Sequence, residues 1–244
     1  LRNPLSFLNN FAKLKRQNCN TNILAITGST GKTSLKNILY SLLNNYGNTY
    51  ASPKSYNNHV GVPLSLSNLN FEHQFGIFEV GMSKAGEVEK LSKLINPDLA
   101  IITNIGEAHI ENFSNIKGIA NAKSEIINNI QSSGTIILNR DDKFFNFLIK
   151  KAQLKKIKII TFGKSRESDV KLIEIKKHKG IKKVLVQIKN EVIKLEIKNI
   201  NIYNVLATLA VLKALNLDLH KTVNVFKSLE PSDGRGKIHN IKRY

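Results

Sequence analysis

The sequence predicts an α/β fold, a doubly wound and mostly parallel sheet with a small antiparallel three-stranded sheet near the C-terminal half. Three observations predict it. Short apolar runs at residues 23–26, 75–80, 99–103, 135–138 and 157–162 have the length and continuity of strands buried on both faces of a parallel sheet. Stripes of helical spacing lie between several of them. From 170 to 197 the rhythm changes to alternation of apolar and charged residues in three segments, the pattern of strands with one wet face.

The elements follow in order. Leu5, Leu8, Phe11 and Leu14 recur at three-residue spacing and predict a short amphipathic lead-in helix, ended by the polar stretch 17–22. After the first strand, Leu35, Ile38, Leu39, Leu42 and Leu43 make one helix face apolar, and Gly47 is placed to close that helix. Val88, Leu91, Leu94 and Ile95 form a second stripe, ended by Pro97. Ile116, Ile119, Lys123, Ile126, Ile127 and Ile130 form a third, with Lys123 on or beside its apolar side. In the alternating region, Lys179-Gly180 and Lys189-Asn190 mark turns. Residues 203–217 and 221–229 read as helices before Pro231 and Gly234 end the pattern.

Composition narrows the function classes. One cysteine, Cys19, excludes an intrachain disulfide and a Cys-rich zinc site, which suits a reducing compartment. No apolar run approaches the roughly 18 residues of a membrane span, so cytoplasmic residence is expected. The formal charge of +19 favours anionic partners of any kind. Its lysines are dispersed, however, and the densest group (Lys176, Lys177, Lys179, Lys182, Lys183) falls on a hairpin, so a solvated surface is expected in place of a nucleic-acid groove. The chain begins at Leu1 with neither an initiator Met nor a signal peptide and ends in a basic stretch, the marks of a fragment.

The segment Ile26-Thr27-Gly28-Ser29-Thr30-Gly31-Lys32-Thr33 joins a buried strand to a helix start through a glycine-bearing turn. Phosphate binding needs that order. Glycines let backbone N–H groups converge on phosphate oxygens, the helix N-terminus contributes partial positive charge, and a lysine there reaches the outer phosphates. Thr33 can then place its hydroxyl on magnesium. Ile26 stands where the general G-x-x-x-x-G-K-[ST] pattern has its first glycine, so the match is partial. The fold expected is therefore of the P-loop type.

The loop Thr-Gly-Ser-Thr-Gly-Lys-Thr, lacking that first glycine, resembles the ATP loop of the Mur ligases and folylpolyglutamate synthases. Further segments resemble the branch of the Mur ligases that adds D-alanyl-D-alanine to UDP-N-acetylmuramoyl-tripeptide. They are Ser55-Tyr56-Asn57-Asn58-His59-Val60-Gly61-Val62-Pro63, Glu79-Val80-Gly81-Met82 with Gly86-Glu87, Pro97-Asp98, Thr103-Asn104-Ile105-Gly106-Glu107-Ala108-His109, and Ala122-Lys123-Ser124-Glu125. The resemblance runs from the lead-in helix to Gly234-Arg235-Gly236. It implies a lead-in helix and linker over 1–21, a central ATP-binding domain over 22–232, and over 233–244 a linker to a C-terminal domain.

What the resemblance implies about chemistry is an ATP-dependent joining of a carboxylate to an amine through an acyl phosphate, in a monomer. Lys32 would hold the β- and γ-phosphates, within a loop of Gly28, Ser29, Thr30, Gly31 and Thr33. Thr33 and Glu79 would hold a first Mg2+, and His109 and a carbamylated Lys123 a second. Asn58, Asn201, Asn204 and Arg235 would contact the nucleotide, although Lys198-Asn199-Ile200 replaces the family's Gly-x-His ahead of Asn201. From the residues alone, Asn58 is equally a turn residue and Asn201 a helix cap. Asn139, Asp141 and Asp142 resemble the family's Asn-x-Asp-Asp turn and are expected to be structural. Two alternatives stay open: another Mur-type or folylpolyglutamate-type amino-acid ligase, and a P-loop protein that binds nucleic acid.

Overall fold

The computed structural model describes residues 3–178 and 180–229. Helix α1 (Pro4–Gln17) is followed by β1 (Asn22–Thr27), α2 (Lys32–Leu43), β2 (Thr49–Ala51), α3 (Gly61–Ser67), β3 (Phe75–Glu79), α4 (Glu87–Ile95) and β4 (Leu99–Ile102). Then come α5 (Ile116–Ser124), β5 (Thr135–Asn139), α6 (Phe145–Lys155), β6 (Lys158–Gly163), β7 (Val170–His178), β8 (Ile181–Ile188), β9 (Glu191–Ile197), α7 (Ile202–Ala214) and α8 (Val223–Ser228).

The strands form one sheet in the order β2-β3-β1-β4-β5-β6-β7-β8-β9. Strands β1 to β6 pair in parallel. The antiparallel strands β7, β8 and β9 continue this sheet through Phe162↔Val170 and Gly163↔Lys171, so the expected small sheet is an extension of the main one. A parallel first contact between β6 and β7 lets the hairpins add on without a new core.

Helices cover both faces. Leu24, Ile26 and Ile101 point to the side packed by α2 and α7, where Leu39, Leu206 and Leu209 are fully buried. Ile23, Ala25 and Ala100 point to the other, covered from α1, α3, α4, α5 and α6. Alternation of side chains across a strand makes this division automatic, and it requires the unbroken apolar run at 23–26 of β1.

Three elements escaped the periodicity: β2, α3 and α6. Strand β2 is only three residues long, while in α6 the buried Phe145, Leu148 and Ala152 are blurred by Leu154, which is 83% exposed. The third stripe is not one helix. It changes after Ser124 from α5 to a 3-10 turn over Glu125–Asn129, yet Ile126, Ile127 and Ile130 stay buried. Likewise the last segment splits into a 3-10 turn (Leu219–Thr222) and α8. Because β1 lies between β3 and β4, the chain reverses its direction of winding there, and the C-terminal ends of these strands open the crevice that ligands use in such sheets.

Candidate functional site

Strand β1 is hydrogen-bonded through Ile26, so the turn starts at Gly28 and needs no glycine at position 26. Gly28 has φ +145°, and a Cβ there would lie 1.9 Å from the Thr103 hydroxyl, so both conformation and space demand glycine. Gly31, at φ +82°, is the N-cap of α2 and adds no side-chain cap to that helix. The first-turn N–H groups of α2 therefore point into the loop.

The segment after β4 braces the loop from the side. Ser29 N donates to Asn104 O at 2.9 Å, Thr30 N to Asn104 Oδ1 at 2.9 Å, and Asn104 Nδ2 to Thr30 Oγ1 at 2.8 Å. Ser29 Oγ donates to Gly106 O at 2.9 Å, and Thr103 Oγ1 to Thr30 O at 2.7 Å. Lys32 folds over the loop, its Nζ 2.8 Å from Gly28 O.

On the other side of the loop, Glu79 ends β3 opposite Ile26 and is 1% exposed. Thr33 Oγ1 donates to Glu79 Oε2 at 2.7 Å, and Asn57 Nδ2 to Oε1 at 2.8 Å. Ser55 Oγ stands 3.3 Å from Thr33 Oγ1. Lys36, one turn beyond Lys32, is buried and donates to Ser52 O at 2.6 Å and to Lys54 O, which pins the 52–55 segment over α2.

A cavity of ≈ 480 Å³ collects Lys32, Asn58, His109 and Lys123 along its wall. Lys123 is 2% exposed, and burial, reinforced by the nearby charge of Lys32, lowers its pKa to about 7. His109 sits at φ +64°, half exposed, with Nδ1 3.8 Å from Glu111. Asn58 caps the start of α3, accepting from Gly61 N at 2.8 Å, so it is a turn residue that also lines the cavity.

A second cavity of ≈ 610 Å³ lies across the loop and collects Thr30, Gly31, Asn139, Asn201, Tyr203 and Asn204. Asn201 caps α7 through Tyr203 N at 2.8 Å, and Asn204 Nδ2 reaches Gly31 O at 3.5 Å. Asp141 and Asp142 do the structural work expected of them. Asp141 accepts from Lys164 N and Ser165 N, and Asp142 from Ile105 N at 2.7 Å. Arg235 lies outside the described residues.

Among the described residues no group of three or more His, Cys, Asp and Glu side chains could hold a metal. The paired oxygens of Thr33 and Glu79 instead fit a hard divalent cation that shares its coordination with substrate phosphates, as Mg2+ does. Lys36, Asn57, Asn104 and Tyr203 were not assigned roles from sequence. Asn57 and Asn104 fall inside the segments 55–63 and 103–109 that resemble the family; nothing marks Lys36, which is off the apolar stripe of α2.

Fold and loop together define a P-loop α/β domain. The chain belongs to the Mur ligase family, since residues 26–212 match the model of the Mur ligase middle domain. The UDP-N-acetylmuramoyl-tripeptide--D-alanyl-D-alanine ligase of Rickettsia prowazekii is 32% identical over 98% of this chain and 54% of its own length. The MurF ligase of Thermotoga maritima, solved in complex with ADP, superimposes with a TM-score of 0.89 at 26% identity, over 99% of this chain and 56% of that one. MurF of Acinetobacter baumannii gives 0.88 at 29% identity, over 94% and 51%. The chain thus spans about half the length of the relatives it matches.

Proposed function

We propose that this chain is the ATP-binding central domain of a ligase that joins D-alanyl-D-alanine to UDP-N-acetylmuramoyl-tripeptide in peptidoglycan precursor synthesis. The observation that carries the reading is the meeting of Lys32, His109 and Lys123 in one cavity beside the Thr33–Glu79 pair. Residues 22–232 form the nucleotide-binding unit, with 1–21 leading in and 233–244 leading out to a further domain.

In the reaction, a carboxylate oxygen of the tripeptide attacks the γ-phosphorus of ATP, the bond to the β-phosphate oxygen breaks, and ADP leaves. The amine of D-alanyl-D-alanine then attacks the acyl carbon, and phosphate departs as the amine loses a proton. Such a transfer needs positioning and neutralisation of charge more than a protein nucleophile. Backbone N–H groups at the start of α2, those of Gly31, Lys32 and Thr33, cradle the phosphates while Asn104 holds those of Ser29 and Thr30, and Lys32 exchanges its bond to Gly28 O for the outer phosphates. Asn201 and Asn204 face the nucleoside in the second cavity, and Asn58, in the first, contacts the phosphates or the bound substrate.

Two Mg2+ ions, when bound, supply charge neutralisation at the phosphates. Thr33 and Glu79 would hold the first, and His109 and Lys123 the second. Lys123 is suited to carbamylation because only a neutral amine reacts with carbon dioxide, and a pKa of about 7 leaves much of it neutral. The carbamate would present an anionic oxygen inside a cavity otherwise rich in cations.

The test has two parts. The chain itself should bind ATP more tightly with Mg2+ than without. Set in place of the matching half of the Rickettsia relative, it should release ADP continuously only when the tripeptide substrate and D-alanyl-D-alanine are both present, and no more than one ADP per enzyme with the tripeptide alone. Release triggered equally by other amines or amino acids would reject the substrate assignment.

A further inference from the structure

Asn57 and Gly81 are joined in a way that no step above uses. The carboxylate of Glu79 has its two oxygens taken by different donors, Thr33 Oγ1 on Oε2 at 2.7 Å and Asn57 Nδ2 on Oε1 at 2.8 Å. A buried glutamate with one donor can turn about its terminal bond; with a donor on each oxygen the carboxylate plane is set. Thr33 comes from α2 and Asn57 from the segment after β2, so the two donors grip the carboxylate from different elements.

Asn57 is itself held. Its main-chain O accepts from Gly81 N at 2.8 Å, two residues beyond Glu79. A Cβ on Gly81 would lie 2.7 Å from Asn57 Oδ1 and 2.8 Å from its Cγ, well inside contact distance. Gly81 is absent from the glycines with positive φ, so its backbone does not require glycine. Space for the carboxamide does. The amide orientation follows from chemistry, because an ionised carboxylate only accepts and must face Nδ2.

We propose that Asn57 is a positioning residue that sets the Glu79 carboxylate for metal binding, and that position 81 is glycine to make room for the Asn57 carboxamide. The proposal rests on the reading of Thr33 and Glu79 as ligands of the first Mg2+. Outer partners that orient a ligand typically change metal affinity 10- to 100-fold when lost.

The test uses the chain as it stands, with ADP as probe, and measures by calorimetry the Mg2+ concentration that half-restores tight nucleotide binding. Asn57→Ala is expected to raise that midpoint about tenfold, with nucleotide binding in EDTA unchanged and thermal unfolding moved by no more than a few degrees. Gly81→Ala should do the same by displacing the carboxamide. The double variant should be no worse than Asn57→Ala alone, since both substitutions break one contact. A midpoint unchanged by Asn57→Ala, or effects that add in the double variant, would overturn the proposal while leaving the site intact. Glu79→Gln is the control: if it and the unmodified chain show no Mg2+ dependence, the metal reading falls and takes this inference with it.

Discussion

Lys36 and Lys123 are equally buried, each 2% exposed, but their ammonium groups meet different surroundings. Lys36 donates to the main-chain oxygens of Ser52 and Lys54, so Lys36→Met strands buried acceptors and should cost about 3 kcal/mol in chemical denaturation. Lys123 has a folded pKa of about 7 against an ordinary 10.5, the result of burial and of Lys32. Between those values the unfolded chain binds more protons than the folded one, so stability rises with pH across that window, and the penalty is complete below it. Lys123→Met should therefore be more stable than the unmodified chain at pH 6, by at most about 5 kcal/mol. The advantage should fade between pH 7 and 10.5 in carbon dioxide-free buffer. A pH-independent difference would refute the buried-cation account. Lys123 could be picked out in the sequence because a lysine interrupts an apolar stripe; Lys36 could not, because its burial comes from a segment 16 residues away folding over α2.

At the scale of elements, the strand-turn-helix order between β1 and α2 was legible from its glycines, lysine and threonine at fixed offsets, while the bracing of that turn by Thr103, Asn104 and Gly106 was not. Gly28→Ala, meeting Thr103 and forced to positive φ, should abolish nucleotide binding and lower the unfolding midpoint. The change from α5 to a 3-10 turn was not legible, because apolar spacing is nearly the same in both. There the Glu125 carboxylate reaches the start of α4, accepting from Gly86 N at 2.8 Å and Glu89 N at 3.0 Å. It caps a helix from outside that helix. Glu125→Ala should cost about 1 kcal/mol, seen as faster hydrogen exchange at the first turn of α4. Exchange unchanged in that turn would mean that α4 does not depend on the cap.

For the whole molecule, α1 is tied on through Arg16, whose Nε donates to Ile95 O at 2.9 Å and whose Nη2 reaches Asn96 O at 2.8 Å and Asp98 at 3.3 Å. Arg16→Ala should let α1 exchange its amides freely while the sheet stays protected; uniform loss of protection would show that α1 folds with the core. We expect a monomer by light scattering, as the charge of +19 opposes self-association. No helix among the described residues is long and apolar enough to cross a membrane. The sequence by itself determined the strand-helix alternation, the phosphate loop and the helical stripes, because each depends on neighbours within a few residues. The tertiary structure alone decided that the antiparallel strands extend the main sheet, that Lys36 is buried under the segment after β2, that Asn57 bonds Glu79, and that Lys32, His109 and Lys123 share one wall. Those facts depend on which strand ends lie side by side, and strand order is set by packing between residues far apart in the chain.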